Sequence, residues 1–201
     1  MFTVYGMADS GNCYKVKLAL EQLGRPYRWV EVDSTKGGTR TAEFLARNPN
    51  GKVPVIVDGD ATVFDSNAIL LYLAEKTGKF LPPPAARGEL LSWLMFVATG
   101  IGPFSGQGVH FRHFAPEKVP YAHNRYQYEA ERHYGIIDAR LAKRKYMCGD
   151  TYTIVDMDVW GWARRIPYLL GAGARDQFPT LQRLHAEPRA RPAAPPPPRH
   201  R

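Results

Sequence analysis

Two cysteines in 201 residues, Cys13 and Cys148, are too few for a disulfide framework. That argues against the small stapled secreted folds and predicts a reducing, cytoplasmic setting. Long hydrophobic runs are missing too. No stretch reaches the ~18 consecutive apolar residues a membrane helix needs, so no membrane partner is expected. Met1-Phe2-Thr3-Val4-Tyr5 shows no charged n-region of a secretory signal. Acidic residues are scarce, 19 against 27 Lys and Arg, for a formal net charge of +8. Such an excess raises nucleic acid as a partner, but its distribution argues otherwise. From Arg183 onward five arginines face one glutamate, half of the excess, in a stretch that also holds Pro195 to Pro198. RNA-binding signatures, zinc-ligand spacings and recognition-helix patterns are absent, so no nucleic acid is expected. A small anionic ligand suits a basic protein as well.

What is present is a patterned globular chain with 44% hydrophobic residues. Phe2 to Tyr5 reads as a strand. Val16, Ala19, Leu20 and Leu23 follow at helical spacing. Tyr27 to Val32 is a second strand, Thr39 to Ala46 a short helix, and Val53 to Val57 a third strand. Asp58-Gly59-Asp60 turns the chain into a fourth strand, Ala61 to Phe64, and a helix runs from Asn67 to Thr77. The order βαβαββα is the thioredoxin-like arrangement, predicted over 1–79. Phe80-Leu81-Pro82-Pro83-Pro84-Ala85 begins a stiff linker over 80–87. An all-helical bundle is expected over 88–187. Its helices are placed at Gly88 to Thr99, around Tyr126, Ala130, Tyr134, Ile137 and Leu141, at Thr153 to Leu170, and from Pro179. A Gly/Pro/His-rich break separates the first two, over Gly100 to Pro120. Pro188 and Pro192 predict no further helix, and 188–201 is expected to be a disordered tail. The fold class is thus α/β followed by all-α.

Three features fall where such a first domain places its site. Ser10-Gly11-Asn12-Cys13 lies between the first strand and first helix, with the C-x-x-C spacing of thiol oxidoreductases but serine in the first position. A serine there can donate a hydrogen bond to a thiolate brought by a ligand, at a helix N-terminus that favours anions. Equally, Ser10 or Asn12 can simply cap the helix. Val53-Pro54 puts a proline at the opening of a central strand, where a cis bond would present the Val53 backbone to an extended peptide. An ordinary trans proline is the alternative. Asp65-Ser66 opens the next helix, where a hydroxyl, free N–H groups and a carboxylate suit an α-amino-acid head group. A plain N-cap is the alternative here too.

Taken together, these features and the segments SGNCYKV, KGGTRTAEFLARNPNGKVPVIVD, FDSNAILLYLAEKTGKFLP, GPFSGQGVHF, PYAHNRYQYEAERHYGIID and YTIVDMDVWGW resemble the glutathione transferases over about residues 1 to 187. The likeness is strongest to bacterial Nu-class-like members, of disulfide-bond oxidoreductase type. The resemblance implies that Ser10 and Asn12 face the glutathione sulfur and that Val53 pairs with the peptide beside cis Pro54. It also implies that Asp65 and Ser66 hold the γ-glutamyl end, where the family often has Glu in place of Asp65. Lys52 is implied as a partner of the glycine carboxylate. Arg132 is implied to reach a second glutathione or substrate. Glutathione is then the co-substrate, no metal is needed, and a homodimer is expected. The C-terminus departs from the family, whose members continue with a helix where this chain has Pro195 to Arg201.

The expected activity is transfer of glutathione to a small hydrophobic electrophile, with disulfide reduction or peroxidase chemistry as the alternative on the same residues. A non-catalytic binding module of the same fold is the rival from another class. A dithiol mechanism lacks its first cysteine. Cys13 and Cys148 read as structural. Thr153-x-x-Asp156 reads as a capping box, and Trp93, Trp160 and Trp162 as core. His110 and His113 lack the further ligands of a metal site. Gly106 to Phe111 is expected to be a flexible wall of the electrophile pocket.

Overall fold

The structure, a computed structural model, describes residues 1–190. Met1–Lys79 and Phe80–Glu187 form separate compact units.

The first unit holds strands β1 (Phe2–Gly6), β2 (Tyr27–Glu31), β3 (Val55–Asp58) and β4 (Ala61–Phe64) in the order β2-β1-β3-β4. β1 pairs parallel with β2 and antiparallel with β3, which pairs antiparallel with β4. The parallel pair is joined through α1 (Gly11–Gln22), and the β3–β4 hairpin leads into α3 (Ser66–Thr77). α1 and α3 pack against each other. Tyr5 and Val55, opposite each other in the β1–β3 register, meet Phe44 of α2 (Ala42–Arg47), with Val32 and Val53 in the same cluster. The expected βαβαββα order is thus present. β3 starts two residues later than its apolar run, because Pro54 has no N–H for a ladder.

The second unit is helical: α4 (Arg87–Phe96), α5 (Gly102–His113), α6 (Pro120–Leu141), α7 (Ile154–Ala163), α8 (Ile166–Leu170) and α9 (Pro179–Ala190). Several sequence expectations need correction here. The 80–87 segment is not all linker, since Pro84–Ala86 forms a 3-10 turn and α4 begins at Arg87. The supposed break at Gly100 to Pro120 is largely helix: a π-helical turn, Val97–Ile101, joins α4 to α5. Gly106 to Phe111 therefore lies inside α5, not in a flexible wall. The reason is close packing. A Cβ at Gly100 would come within 2.5 Å of His133 Nε2, and one at Gly108 within 2.6 Å of Leu169 Cδ1. These glycines admit neighbours to the helix rather than ending it. The helix expected over Thr153 to Leu170 is two, parted before Pro167, which lacks the N–H to continue the ladder. α9 continues through Pro188, close enough to the helix end that a single lost backbone bond is tolerated. The remainder of the expected tail, 191–201, lies outside the described residues.

On α6 the expected face is largely buried, with Ala130, Tyr134, Ile137 and Leu141 inward. Leu181 and Leu184 of α9 are also buried. The Thr153–Asp156 capping box is formed. Asp156 is fully buried and accepts from Met147 N and Thr153 N, both at 2.8 Å. Burial pushes its carboxyl up to about 6, against the pull of these bonds.

Candidate functional site

The site grows from three segments of the first unit that share one cleft. The cleft holds about 480 Å³ of space open to solvent and is lined by Asn12, Asn48, Asn50, Lys52, Val53, Pro54, Phe64, Asp65 and Ser66. Six of the residues singled out from sequence therefore meet: Asn12, Lys52, Val53, Pro54, Asp65 and Ser66.

Ser10 does not line this cleft. It is the N-cap of α1, in extended backbone, and its Oγ accepts the Cys13 N–H at 3.3 Å. The capping role is thus real. Asn12, two residues on, is the residue of this turn that lines the cleft. Cys13 is fully buried, and Met7 N–H donates to its Sγ at 3.4 Å. Burial pushes the Cys13 thiol up to about 11, although the Ser10 hydroxyl and the Lys15 charge act the other way. It is a poor nucleophile at neutral pH.

The Val53–Pro54 peptide bond is cis. Among the described residues, neither backbone polar group of Val53 is hydrogen-bonded. The segment before it is held by Asn48, a buried residue that sequence reasoning missed. Its Nδ2 donates to the Lys52 carbonyl at 2.6 Å and its Oδ1 accepts Asn50 N–H at 3.0 Å. The signal was present in Asn48-Pro49-Asn50-Gly51, since asparagine side chains commonly bond the backbone two residues on. Lys52 is exposed at the rim.

Asp65 has φ 70° and ψ 126°, a conformation that costs a non-glycine residue about 1–3 kcal/mol. Its Oδ1 accepts Asn67 N–H at 2.9 Å and Ala68 N–H at 3.3 Å, so it is the N-cap of α3. Ser66 is buried beside it and donates to Asn67 Oδ1 at 3.3 Å. Beneath them lies Lys15, 1% exposed, whose Nζ donates to the same Asn67 Oδ1 at 2.8 Å. Lys15 and Asn67 were also missed. The clue was that Lys15 shares a helical stripe with Leu18 and Ala19, so a lysine sits on a core-facing row.

Arg132 is in the other unit, on α6. Its Nε donates to Glu129 Oε2 at 3.0 Å and its Nη2 lies 3.3 Å from His133 Nε2. Arg125 bonds the second Glu129 oxygen at 2.5 Å, and these two arginines hold the Glu129 carboxyl below its ordinary value. His113 bonds the Tyr168 carbonyl at 2.7 Å, and among the described residues no group of His, Cys, Asp or Glu could hold a metal ion. Of the three tryptophans read as core, Trp160 is buried, while Trp93 is half-buried beneath the Arg140 guanidinium, 4.4 Å from its ring centre.

Comparison with known proteins gives this geometry its context. The family "Glutathione S-transferase, N-terminal domain" matches residues 4–83, and "Glutathione S-transferase, C-terminal domain" matches 112–192. This chain belongs to the glutathione S-transferase family. It is 39% identical over 199 residues to the disulfide-bond oxidoreductase YfcG of Escherichia coli, covering 92% of this chain and 89% of the relative. The structure of glutathione transferase URE2P6 from Phanerochaete chrysosporium, in complex with oxidised glutathione, superposes with a TM-score of 0.90. It is 34% identical and covers 96% of this chain and 92% of that one. A glutathione transferase family member from Pseudomonas fluorescens, with two glutathione bound, gives 0.89 at 36% identity, covering 96% and 90%. The transferase fold and its two-part organisation, thioredoxin-like then helical, are therefore those of this chain.

Proposed function

We propose that this chain binds glutathione in the cleft of its first unit and holds the thiol as a thiolate for attack on another sulfur. The observation that carries the reading is the meeting of Asn12, the open Val53 backbone, Lys52 and the Asp65–Ser66 turn around one cleft. In this reading Asp65 receives the ammonium of the γ-glutamyl end, while the Ser66 hydroxyl and backbone N–H receive its carboxylate. The cysteinyl backbone pairs with Val53 as an added strand. Lys52 answers the glycine carboxylate. The sulfur then lies at the α1 N-terminus, where Asn12, the Ser10 hydroxyl proton and the helix dipole stabilise its negative charge.

The chemistry follows from that thiolate. It attacks one sulfur of a disulfide, forming a glutathione mixed disulfide and releasing the other sulfur as a thiolate that takes up a proton. A second glutathione thiolate displaces the remaining thiol and leaves glutathione disulfide. The name of the YfcG relative and the oxidised or paired glutathione in related structures favour this acceptor over an electrophilic carbon. Attack on carbon uses the same residues, with the leaving group departing with its electron pair. Arg132 enters as the candidate partner for a carboxylate of the second glutathione. A cytoplasmic homodimer belongs to the same reading, checked by light scattering against the 22.6 kDa chain mass.

Parallel turnover assays with a glutathione mixed disulfide and with a chloronitrobenzene test it. The proposal expects faster turnover of the disulfide. Preference for the chloronitrobenzene would reassign the chain to conjugation. Glutathione binding without turnover of either would favour a binding module.

A further inference from the structure

Lys15 is the one lysine placed among the fully buried large side chains of the described residues. Its neighbours along α1, Cys13, Tyr14, Val16, Leu18, Ala19 and Leu20, are all buried as well. Removing an ammonium from water is costly, and a contact between α1 and α3 made only for packing would be served by an apolar side chain. What an apolar side chain could not do is donate. Lys15 Nζ gives a 2.8 Å hydrogen bond to Asn67 Oδ1, across 52 positions of sequence. That oxygen is also the acceptor of the Ser66 hydroxyl, at 3.3 Å. Asn67 N–H in turn donates to Asp65 Oδ1 at 2.9 Å. Lys15 thus ties the Asp65–Ser66–Asn67 turn to the helix that carries Asn12 in its first turn.

We infer that Lys15 is a positioning residue for the γ-glutamyl end of the ligand, acting through Asn67 on Ser66 and Asp65. This inference rests on the glutathione reading above. The two bonds to Asn67 Oδ1 differ in strength, and the difference gives the mechanism. The long bond from Ser66 is the one a ligand carboxylate replaces, when the hydroxyl turns to donate to it. The short, charge-assisted bond from Lys15 keeps Asn67 Oδ1 satisfied when that happens. Ser66 can then exchange partners without leaving a buried acceptor bare. Because the effect passes through the turn and not through the sulfur, it sets affinity for the γ-glutamyl group rather than reactivity of the thiol.

The test compares glutathione with cysteinylglycine, which carries the same thiol and glycine but lacks the γ-glutamyl group. In Lys15→Met the KM for glutathione should rise by about tenfold, as for loss of one hydrogen bond to a charged group. Its kcat should stay near that of the wild type, and the kinetics of cysteinylglycine should not change. Asn67→Ala should behave in the same way. Asn67→Asp, which keeps an acceptor for Lys15, should retain the preference for glutathione. A folded Lys15→Met with undiminished preference, or one in which both thiols lose activity in parallel with a fall in Tm, would overturn the inference and leave Lys15 a fold element. If Lys15→Met does not fold, Asn67→Ala decides by the same criteria. A wild type that does not distinguish the two thiols would instead overturn the glutathione reading itself.

Discussion

The Ser10 hydroxyl oxygen accepts the Cys13 N–H at 3.3 Å, so the residue assigned to the ligand's sulfur is also the cap of the helix beneath it. In the proposed reading the two roles use different parts of one group, an oxygen lone pair for the cap and the proton for the thiolate. Ser10→Ala should therefore do two things. Unfolding should become easier by about 0.5–2 kcal/mol, the usual loss for a serine cap. The pKa of bound glutathione should rise while its affinity changes little. Asn12→Ala should slow turnover without the loss of stability, because Asn12 lines the cleft and holds no cap. Chemical denaturation and turnover, measured on both variants, separate the roles.

Asp65 caps α3 and, in the proposed reading, also meets the ligand ammonium, so its replacement should be felt in binding and in folding. Asp65→Ala removes the acceptor of Asn67 and Ala68 N–H groups, at about 0.5–2 kcal/mol of stability. It should also weaken glutathione by about 1.5–3 kcal/mol, as for a hydrogen bond to a charged group. Calorimetry reads the second effect and thermal unfolding the first. Unchanged affinity would place the ammonium elsewhere.

Cys13 should be dispensable for chemistry. It is fully buried, with its thiol pushed up to about 11. Cys13→Ala should keep most of the turnover, and iodoacetamide should label the native Cys13 slowly near neutral pH. A collapse of turnover in a folded variant would move the nucleophile from the ligand to the protein.

Much of the first unit was legible because its signals are local. Apolar runs, turn residues and the Val53-Pro54 and Asp65-Ser66 pairs fix strands, crossover and cleft within eighty residues of chain. The second unit was harder to read where glycine had two meanings. Gly100 and Gly108 look like breakers in sequence, yet each is small because His133 or Leu169 occupies the space a side chain would need. That information lies in partners more than 30 residues away. The same holds for Lys15, whose partner Asn67 is 52 positions on. For Ser10, sequence left cap and thiol contact as alternatives, and the structure forms the cap.

Stability should carry an unusual pH signature from Asp156. Burial raises its carboxyl from 3.8 to about 6 in the folded chain. Between these values the folded state binds a proton that the unfolded state has released. Stability through this group is therefore greatest below its unfolded value and is lost as pH rises through its folded one. The slope is at most about 1.4 kcal/mol per pH unit. Subtracting the unfolding free energies of Asp156→Asn from those of the wild type between pH 4 and 7 isolates it. The difference should shrink as pH rises, and a difference independent of pH would show that the carboxyl titrates normally.

The most direct test of the account is the ultraviolet thiolate absorbance of glutathione bound to the wild type, followed against pH. Cys13 and Cys148 are both pushed to about 11, so near neutral pH the signal comes from the ligand. The account predicts a midpoint well below the ~8.5 of a free thiol, with the midpoint moving upward in Ser10→Ala and further upward in the Ser10→Ala, Asn12→Ala double variant. Bound glutathione that titrates like the free thiol in the wild type would contradict thiolate activation at this site.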